Sequence, residues 1–328
     1  MLKELLDISK EMSKDKFTIL GTDIAKGKGA ILELEIAKLH TRNTMNVPVI
    51  VQRGKKAGPT VLLLAGVHGD EINGIAIIRE IIKQKFHKPD SGVIICIPVF
   101  NVFGFLNLSR EFPDGRDLNR VFPGSENGSL ASQFAAKFLK EIAHHIDYVI
   151  DFHTGGSERV NVPQVRCNFK EPESIELAKY FNTPFIINSS YISKSLREHL
   201  VKMGKKTILF EGGKSKEIDR NVVKAGVDGT VNVLRYLKVL SGAVIPHGRT
   251  TVVEEAKWLR APNSGLLNLR VKNGTLVKNR EILGTISDPF GEFEKKIFAS
   301  CNGYIFGVNT APIVNKGDAL FHIATKYE

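Results

Sequence analysis

The sequence predicts an α/β fold in which a mostly parallel or mixed central sheet carries helices on both faces, followed by a small all-β region. Two observations support this prediction. Short apolar runs alternate with segments of helical period until about residue 245. Beyond that point helical periodicity disappears, and glycine, proline and short β-like runs dominate. We therefore expect a larger domain over residues 1–245 and a smaller β domain over residues 246–328.

Five apolar runs are typical of strands covered on both faces. They are VLLLA (61–65), VIICI (93–97), YVIDF (148–152), PFIIN (184–188) and TILFE (207–211). Four segments carry apolar residues at helical spacing. They are INGIAIIREIIKQ (72–84), SLASQFAAKFLKEIAHHI (129–146) with Ser129 or Ser132 as a cap, SIELAKYF (174–181) and NVVKAGVDGTVNVLRYLKVL (221–240). The alternation predicts strands joined by helical crossovers.

The region after residue 245 contains a weak internal repeat. APNSGLLNLRVKNGTLVKNREILGTI (261–286) is echoed by ASCNGYIFGVNTAPIVNKGDALFHI (299–323). Two like halves favour a small barrel or sandwich with pseudo-symmetry, and they resemble the half-motifs of biotinyl/lipoyl-type domains. Those domains carry a modified lysine at the hairpin between the halves, whereas this joint reads SDPFGEFEKK. We expect the barrel-sandwich architecture without the attachment function.

Composition excludes several classes of protein. The 328 residues, 42% apolar and 25% charged, are typical of a globular protein with a large core. The net charge of +11 comes from scattered lysines, so it predicts surface charge and steering of anionic substrates. No run approaches the roughly 20 apolar residues that cross a bilayer. We therefore expect neither nucleic acid nor membrane as a partner, while a homo-oligomer stays open.

The cysteines and the N-terminal segment predict a location. Cys96, Cys167 and Cys301 lie far apart without a CxxC pair, which favours a reducing compartment. The segment MLKELLDISKEMSKDKF has no apolar core of signal-peptide length. Both features predict a cytoplasmic protein.

Ionisable residues follow three of the predicted strands. His68 and Glu71 stand in GVHGDE, His153 in FHTGG and Glu211 in EGG. Because ligands of open α/β sheets bind at the carboxyl ends of strands, these side chains are expected to meet. Two imidazoles and one carboxylate form a three-ligand set for one zinc ion per chain, with a fourth position for water. A single histidine after a strand is more often structural, but three such strand ends together favour a metal site.

The segment NVFGFLNLSREFPDGRDLNRVFPG (101–124) is rich in turn residues, so we expect irregular structure. It carries Arg110, Arg116 and Arg120, with Asn119 beside the last. Arginine can hold a carboxylate through two parallel hydrogen bonds, and another arginine can stabilise an oxyanion. Without the metal motif, a basic surface loop would be the better interpretation.

On these residues the chain resembles the succinylglutamate desuccinylase/aspartoacylase family, a branch of the zinc carboxypeptidase clan. Four motifs occur in the family's order, and a C-terminal segment is similar to the β-domain of bacterial deacylase-like members. The segments are GVHGDEING, PDGRDLNRVFPG, DFHTGG, FEGG and RAPNSGLLNLRV…LGTISDPFG…GDALFHI. The resemblance implies a zinc carboxypeptidase-like α/β domain and zinc bound by His68, Glu71 and His153. It also implies that Glu211 acts as general base and then general acid.

The same resemblance assigns the arginines. It implies that Asn119 and Arg120 hold a substrate carboxylate and that either Arg110 or Arg116 stabilises the oxyanion. Two arginines that follow the third ligand, Arg159 and Arg166, are candidates for contact with the acyl portion or a second acidic group, and plain surface charge is the alternative interpretation.

The reaction implied is removal of an acyl group from a small anionic N-acyl amino acid or related amine. The first alternative is a zinc carboxypeptidase that cleaves short peptides through the same centre. The second is a non-catalytic nucleic-acid binder, which the lack of a basic cluster with interleaved aromatic residues disfavours.

Overall fold

The computed structural model of the protein describes residues 16–38, 40–246, 248 and 250–328. The segment MLKELLDISKEMSKDKF, which contributed to the prediction of a cytoplasmic protein, therefore lies outside the described residues except for Lys16 and Phe17. Within them, no helix combines the length and apolar character needed to cross a membrane. The α-helices of this part of the chain are α1 (Ile72–Lys83), α2 (Val102–Asn107), α3 (Leu130–Glu141), α4 (Pro172–Phe181), α5 (Leu196–Lys202) and α6 (Arg220–Tyr236).

The strands are β1 (Thr18–Ile19), β2 (Thr22–Asp23), β3 (Gly29–Lys38), β4 (Thr44–Arg53), β5 (Lys56–Ala65), β6 (Ser91–Ile97), β7 (Tyr148–Gly155), β8 (Arg159–Cys167), β9 (Phe185–Asn188), β10 (Lys206–Lys214), β11 (Thr251–Arg260), β12 (Gly265–Leu269), β13 (Leu276–Val277), β14 (Ile282–Ser287), β15 (Glu294–Phe298), β16 (Gly303–Asn309), β17 (Ile313–Val314) and β18 (Ala319–Tyr327). Two short 3-10 helices cover Leu118–Arg120 and Ala143–His145.

The main sheet is mixed and has the strand order β13-β16-β18-β11-β9-β8-β10-β7-β5-β6-β4-β3. Its centre is parallel, because β5 runs parallel to β6 and β7, and β10 runs parallel to β7. Towards the edges, β4 and β8 pair antiparallel to their neighbours β6 and β10. The five strands predicted from apolar runs are confirmed as β5, β6, β7, β9 and β10.

The central strands are apolar throughout because both faces of the sheet are covered. Along β5, Leu62 and Leu64 enter one core, while Val61 and Leu63 enter the core on the opposite face. Helices α3 and α5 pack in the first core, and α1, α4 and α6 pack in the second. Alternation of side chains along a strand thus feeds two separate cores. The four predicted helices are confirmed as α1, α3, α4 and α6, and Ser129 caps α3.

The prediction of irregular structure over residues 101–124 is wrong in part, because α2 and the 3-10 helix Leu118–Arg120 lie there. Asn101, a residue typical of turns, caps α2 by accepting a hydrogen bond from the backbone N–H of Gly104 at 2.8 Å. The turn after β5 packs directly on this helix. A Cβ added to Gly69 would lie 1.8 Å from the carbonyl carbon of Gly104.

The C-terminal strands form a closed ring with strands of the α/β region. β11 pairs with β9, β16 pairs with both β18 and β8, and β8 pairs with β9. The ring therefore includes strands from both sides of residue 245. The predicted repeat is visible in the pairing, since β12 pairs with β17 and β16 pairs with β13. A separate sheet has the order β15-β14-β12-β17.

Candidate metal centre and its cavity

His68, Glu71 and His153 converge in a buried cluster that could hold a metal ion. His68 lies in the turn after β5, Glu71 precedes the first residue of α1, and His153 lies on β7. Nδ1 of His68 is 2.9 Å from Oε1 of Glu71, and Nδ1 of His153 is 2.8 Å from Oε2. One candidate ligand atom from each residue lies within 4.8 Å of the others. The predicted convergence of these three strand-end residues is therefore observed.

Each imidazole has a carboxylate on its other nitrogen. Nε2 of His68 is 3.1 Å from Oδ1 of Asp117, and Nε2 of His153 is 3.0 Å from Oδ2 of Asp151. A carboxylate in this position fixes the tautomer and ring orientation of a metal-binding histidine. The donor set and its supporting carboxylates therefore fit a divalent ion held between the two Nδ1 atoms and Glu71.

The cluster also keeps Glu71 ionised. Burial alone would raise the pKa of this carboxyl, but the charges and hydrogen bonds of the two imidazoles outweigh burial and hold its pKa well below the usual value. The backbone N–H of Thr154 donates to Oε2 at 3.2 Å. Glu71 is thus held as an anion by groups on two different strand ends, as a metal ligand must be.

The structure brings Arg110 to the cluster but leaves Arg116 outside it. Nη1 of Arg110 lies 3.3 Å from Oε1 of Glu71, and Nη2 lies 2.9 Å from Oδ2 of Asp117. Arg116 instead turns towards Asp114, at 3.7 Å, and its side chain is 59% exposed. Arg110 lines the cavity around the cluster of His68, Glu71 and His153, whereas Arg116 lines a neighbouring surface depression.

Asn119 and Arg120 are placed by the 3-10 helix Leu118–Arg120. Oδ1 of Asn119 accepts a hydrogen bond from the backbone N–H of Leu196 at 2.8 Å, so this side chain also fixes the start of α5. Arg120 donates from Nη1 to the backbone carbonyl of Asn119 at 2.7 Å. Both residues line the cavity.

Glu211 stands next to His153, because the two residues are partners in the parallel pairing of β10 with β7. Its Oε2 lies 3.0 Å from Nη2 of Arg166 and accepts a hydrogen bond from Asn161. Arg159 is exposed at the cavity rim, with its guanidinium carbon 5.8 Å from the centre of the Trp258 ring. Of the two arginines that follow the third ligand, one thus contacts Glu211 and the other faces solvent.

The cavity around these groups has a volume of about 770 Å³. Its wall includes residues from the C-terminal strands and their turns, namely Trp258, Arg260, Gly317, Asp318 and Ala319. Five arginines face it in all: Arg110, Arg120, Arg159, Arg166 and Arg260. Five carboxyl groups line the same cavity, those of Asp70, Glu71, Asp117, Glu211 and Asp318, so the formal charges balance and individual guanidinium groups, rather than a net charge, offer sites for an anionic ligand.

The catalytic-domain model of the succinylglutamate desuccinylase/aspartoacylase family matches residues 57–237, which is more than half of the chain. This protein belongs to that family. The matched region includes the three candidate metal ligands, Arg110 and Glu211.

One curated protein and two solved structures are similar to this chain over most of their length. N-alpha-acetyl-L-2,4-diaminobutyric acid deacetylase from Halomonas elongata is 26% identical over 300 residues, which cover 86% of each protein. A succinylglutamate desuccinylase/aspartoacylase structure from Rhodobacter sphaeroides superposes with a TM-score of 0.81 at 23% identity, covering 90% of this chain and 95% of that one. The product-bound ectoine utilization protein EutE (DoeB) from Ruegeria pomeroyi gives the same TM-score and identity, with 91% and 95% covered. These likenesses establish the α/β fold with a mixed sheet.

Sequence reasoning missed four residues that shape this family member's site. Asp151 stands two residues before His153, and the strand period would have placed both on one face. Asp117 directly precedes Leu118–Arg120, so the motif that predicted Asn119 and Arg120 could also have indicated Asp117. Asn161 and Trp258 gave none, because only strand pairing and the closed ring bring them to the cavity.

Proposed function

We propose that this protein is a zinc-dependent hydrolase that removes the acyl group from a small N-acyl amino acid or a related N-acyl amine. The observation that carries the proposal is the meeting of two imidazoles and one buried carboxylate beside Glu211, in a cavity lined by arginines. Family membership and the Halomonas elongata deacetylase support the same class of reaction.

His68, Glu71 and His153 would hold the metal. Asp117 and Asp151 favour the tautomers in which both Nδ1 atoms carry a lone pair towards Glu71. Zinc in this site would supply Lewis-acid polarisation of the amide carbonyl and would lower the pKa of water to about 7. Two nitrogen ligands and one carboxylate are a common protein set for catalytic zinc, which supports this metal over magnesium or calcium.

Glu211 is the proposed proton carrier. It accepts a proton from the attacking water and later delivers it to the leaving nitrogen. Its position opposite His153 in the strand register keeps it within one strand spacing of the metal cluster. Because one group handles both transfers, replacing it would slow attack and departure alike.

Arg110 is the proposed oxyanion donor. Its guanidinium lies against Glu71 and Asp117 and lines the cavity. Held there, it can donate to the carbonyl oxygen as negative charge develops. Arg116 is assigned no role in the reaction, because its contact with Asp114 lies outside this cavity.

Asn119 and Arg120 are the proposed anchors for a substrate carboxylate. The carbonyl oxygen of the Asn119 side chain is already occupied by the N–H of Leu196, which leaves its amide nitrogen as a donor. Arg120 adds a charged fork beside it. Arg159, at the rim, is available for a second acidic group.

We also propose that the chain divides into a catalytic α/β domain over residues 1–245 and a β domain over residues 246–328, with the β domain forming one wall of the cavity. The proposal of that wall rests on three residues that line the cavity: Trp258, Arg260 and Asp318. A wall of this kind favours a small substrate over a peptide, which needs an open groove.

The free cysteines are in keeping with a cytoplasmic location.

The test compares a panel of N-acylated amino acids and diamines with short peptides, using the zinc-loaded protein. We expect turnover of at least one N-acyl amino acid and a kcat lowered by about 10²- to 10⁴-fold, but still measurable, in Glu211→Gln. Turnover of peptides alone would overturn the deacylase proposal in favour of the carboxypeptidase alternative. Zinc analysis accompanies the assay, with about one ion per chain expected.

A further inference from the structure

Glu211 has two protein partners of its own, Asn161 and Arg166. We propose that these two side chains are positioning residues that hold Glu211 by one carboxylate oxygen and leave the other free to exchange a proton. The inference rests on the proposed function, because it takes Glu211 as the proton carrier. It also gives Arg166 a different task from the substrate contact for which the sequence made it a candidate.

Strand pairing brings the three residues together. β8 runs antiparallel to β10, with Arg166 opposite Leu209 and Asn161 opposite Gly213. On β10 those two positions stand two residues before and two residues after Glu211. The pairing is irregular between Glu211 and Gly213, where the glycine has a φ of +73°. This local bend lets the Asn161 side chain reach the carboxylate from one side while Arg166 reaches it from the other.

Both partners engage the same oxygen. Nη2 of Arg166 lies 3.0 Å from Oε2 of Glu211, and Nδ2 of Asn161 donates to that same atom. Within the described residues, Oε1 of Glu211 has no hydrogen-bond or ion-pair partner. Hydrogen bonds to a charged group are the stronger kind, so two on one oxygen restrict rotation of the carboxylate. The remaining oxygen is left for a reacting group in the cavity that Glu211 lines.

The positive charge that faces Glu211 belongs to Arg166, because the neighbouring imidazole of His322 is neutral. His322 packs between Trp258, at 4.4 Å between ring centres, and Phe306, at 4.3 Å. Burial, together with the charge of Arg166, lowers the pKa of His322 to about 3, so this imidazole is neutral. The side chains of Arg166 and Glu211 are only 22% and 14% exposed, so their ion pair is largely shielded from water.

A positioning role and a substrate-binding role predict different kinetics. A residue that binds a substrate carboxylate equally in the ground and transition states changes KM, whereas one that orients the proton carrier changes kcat. A residue that acts through Glu211 also has nothing left to act on when Glu211 is disabled. The fold-losses in kcat of the two single variants are then expected not to multiply in the double variant.

The experiment measures kcat and KM of the zinc-loaded enzyme on the N-acyl amino acid with the highest kcat/KM in the panel. The variants are Arg166→Met, Arg166→Lys, Asn161→Ala, Glu211→Gln and the double variant Arg166→Met with Glu211→Gln. We expect Arg166→Met to lower kcat by about 10- to 100-fold with KM changed by less than about 3-fold. We expect Arg166→Lys to restore part of the loss, and Arg166→Met to cost less than about 2-fold in the Glu211→Gln background.

Arg79→Met is the matched control, because Arg79 is an exposed arginine of α1 with a side chain 73% exposed. It should keep wild-type kcat and KM. Zinc content and circular dichroism report whether each variant folds, and Asn161→Ala and Arg166→Lys remain informative if Arg166→Met does not. An increase in KM at unchanged kcat, or losses that multiply in the double variant, would overturn the positioning role alone. Full activity of Glu211→Gln would overturn the proposed function and the inference together.

Discussion

Glu71 and His153 lie 82 residues apart in the chain, yet Oε2 of the carboxylate is 2.8 Å from Nδ1 of the imidazole. The other oxygen of Glu71 faces Nδ1 of His68 at 2.9 Å. One carboxylate, with a side chain only 3% exposed, therefore joins two strand ends. Buried polar groups of this kind need a partner or a shared cation, so removing one member leaves the other two poorly compensated.

Replacing one of the three candidate ligands should remove the metal. We expect His153→Ala to retain less than about a tenth of the zinc of the wild-type chain after dialysis, because two protein ligands bind zinc far more weakly than three. Deacylation should be lost with it. Elemental analysis measures the metal, and His144→Ala, at an exposed histidine, is the control. A full zinc complement in His153→Ala would contradict the assignment of this ligand.

Arg110 and Arg116 should behave differently. We expect Arg110→Ala to lower kcat by about 100-fold, the usual cost of removing an oxyanion donor. Arg116→Ala should stay within about 2-fold of wild type, because its exposed side chain turns to Asp114 and away from the metal cluster. Steady-state kinetics on the same substrate separates the two. Equal losses in both variants would show that Arg110 acts through loop structure rather than as a donor.

The carboxylate of Asp151, which contacts Nε2 of His153, should strengthen zinc binding. Asp151 is buried and lies 3.0 Å from Nε2 of the imidazole, so Asp151→Asn keeps the shape but removes the charge. We expect the dissociation constant for zinc to rise by about 10- to 100-fold. Competition with a chromophoric chelator measures it. Asp228→Asn, at an exposed position of α6, serves as the comparison and should bind zinc as the wild type does.

His322 should make the protein less stable as the pH falls. Its folded pKa of about 3 lies below the ordinary value of 6.5, because burial and Arg166 disfavour the protonated imidazole. Between these two values the unfolded chain binds more protons than the folded one, so stability decreases as the pH decreases. The cost approaches about 1.4 kcal/mol for each pH unit below about 6.

The variant His322→Phe keeps an aromatic ring between Trp258 and Phe306 and removes the titrating group. Urea unfolding at pH 7.5 and at pH 5.0 gives the free energy of unfolding of both proteins. We expect the variant to lose about 2 kcal/mol less than wild type over this interval. An equal loss in the two proteins would mean that His322 is not held neutral in the folded state.

Much of the fold could be predicted because local pattern reports burial directly. The run VLLLA is apolar at every position because β5 is covered on both faces, and the isoleucines of α1 recur at helical spacing because one side faces the sheet. The edge strands β3 and β4 were not predicted. They carry polar residues between apolar ones, and their places in the sheet, β4 beside β6 and β3 beside β4, depend on pairing rather than on composition.

The convergence of His68, Glu71 and His153 could be predicted for the same reason that the strands could. Ionisable residues at the end of an apolar run are conspicuous in sequence, and the carboxyl ends of parallel strands share one edge of the sheet. The sequence alone could not choose between Arg110 and Arg116. Both stand in a segment of turn residues, and only the folded chain shows that Arg110 reaches Glu71 while Arg116 turns to Asp114.

The amino-acid sequence by itself determined the alternation of strands and helices, the change to β structure after residue 245, and the residue types available for metal binding. The tertiary structure alone decided that Asn161 and Arg166 contact Glu211 and that Trp258 lines the cavity. The physical reason is that strand register and ring closure are set by contacts between residues far apart in the chain, whereas sequence periodicity reports only which face of an element is buried.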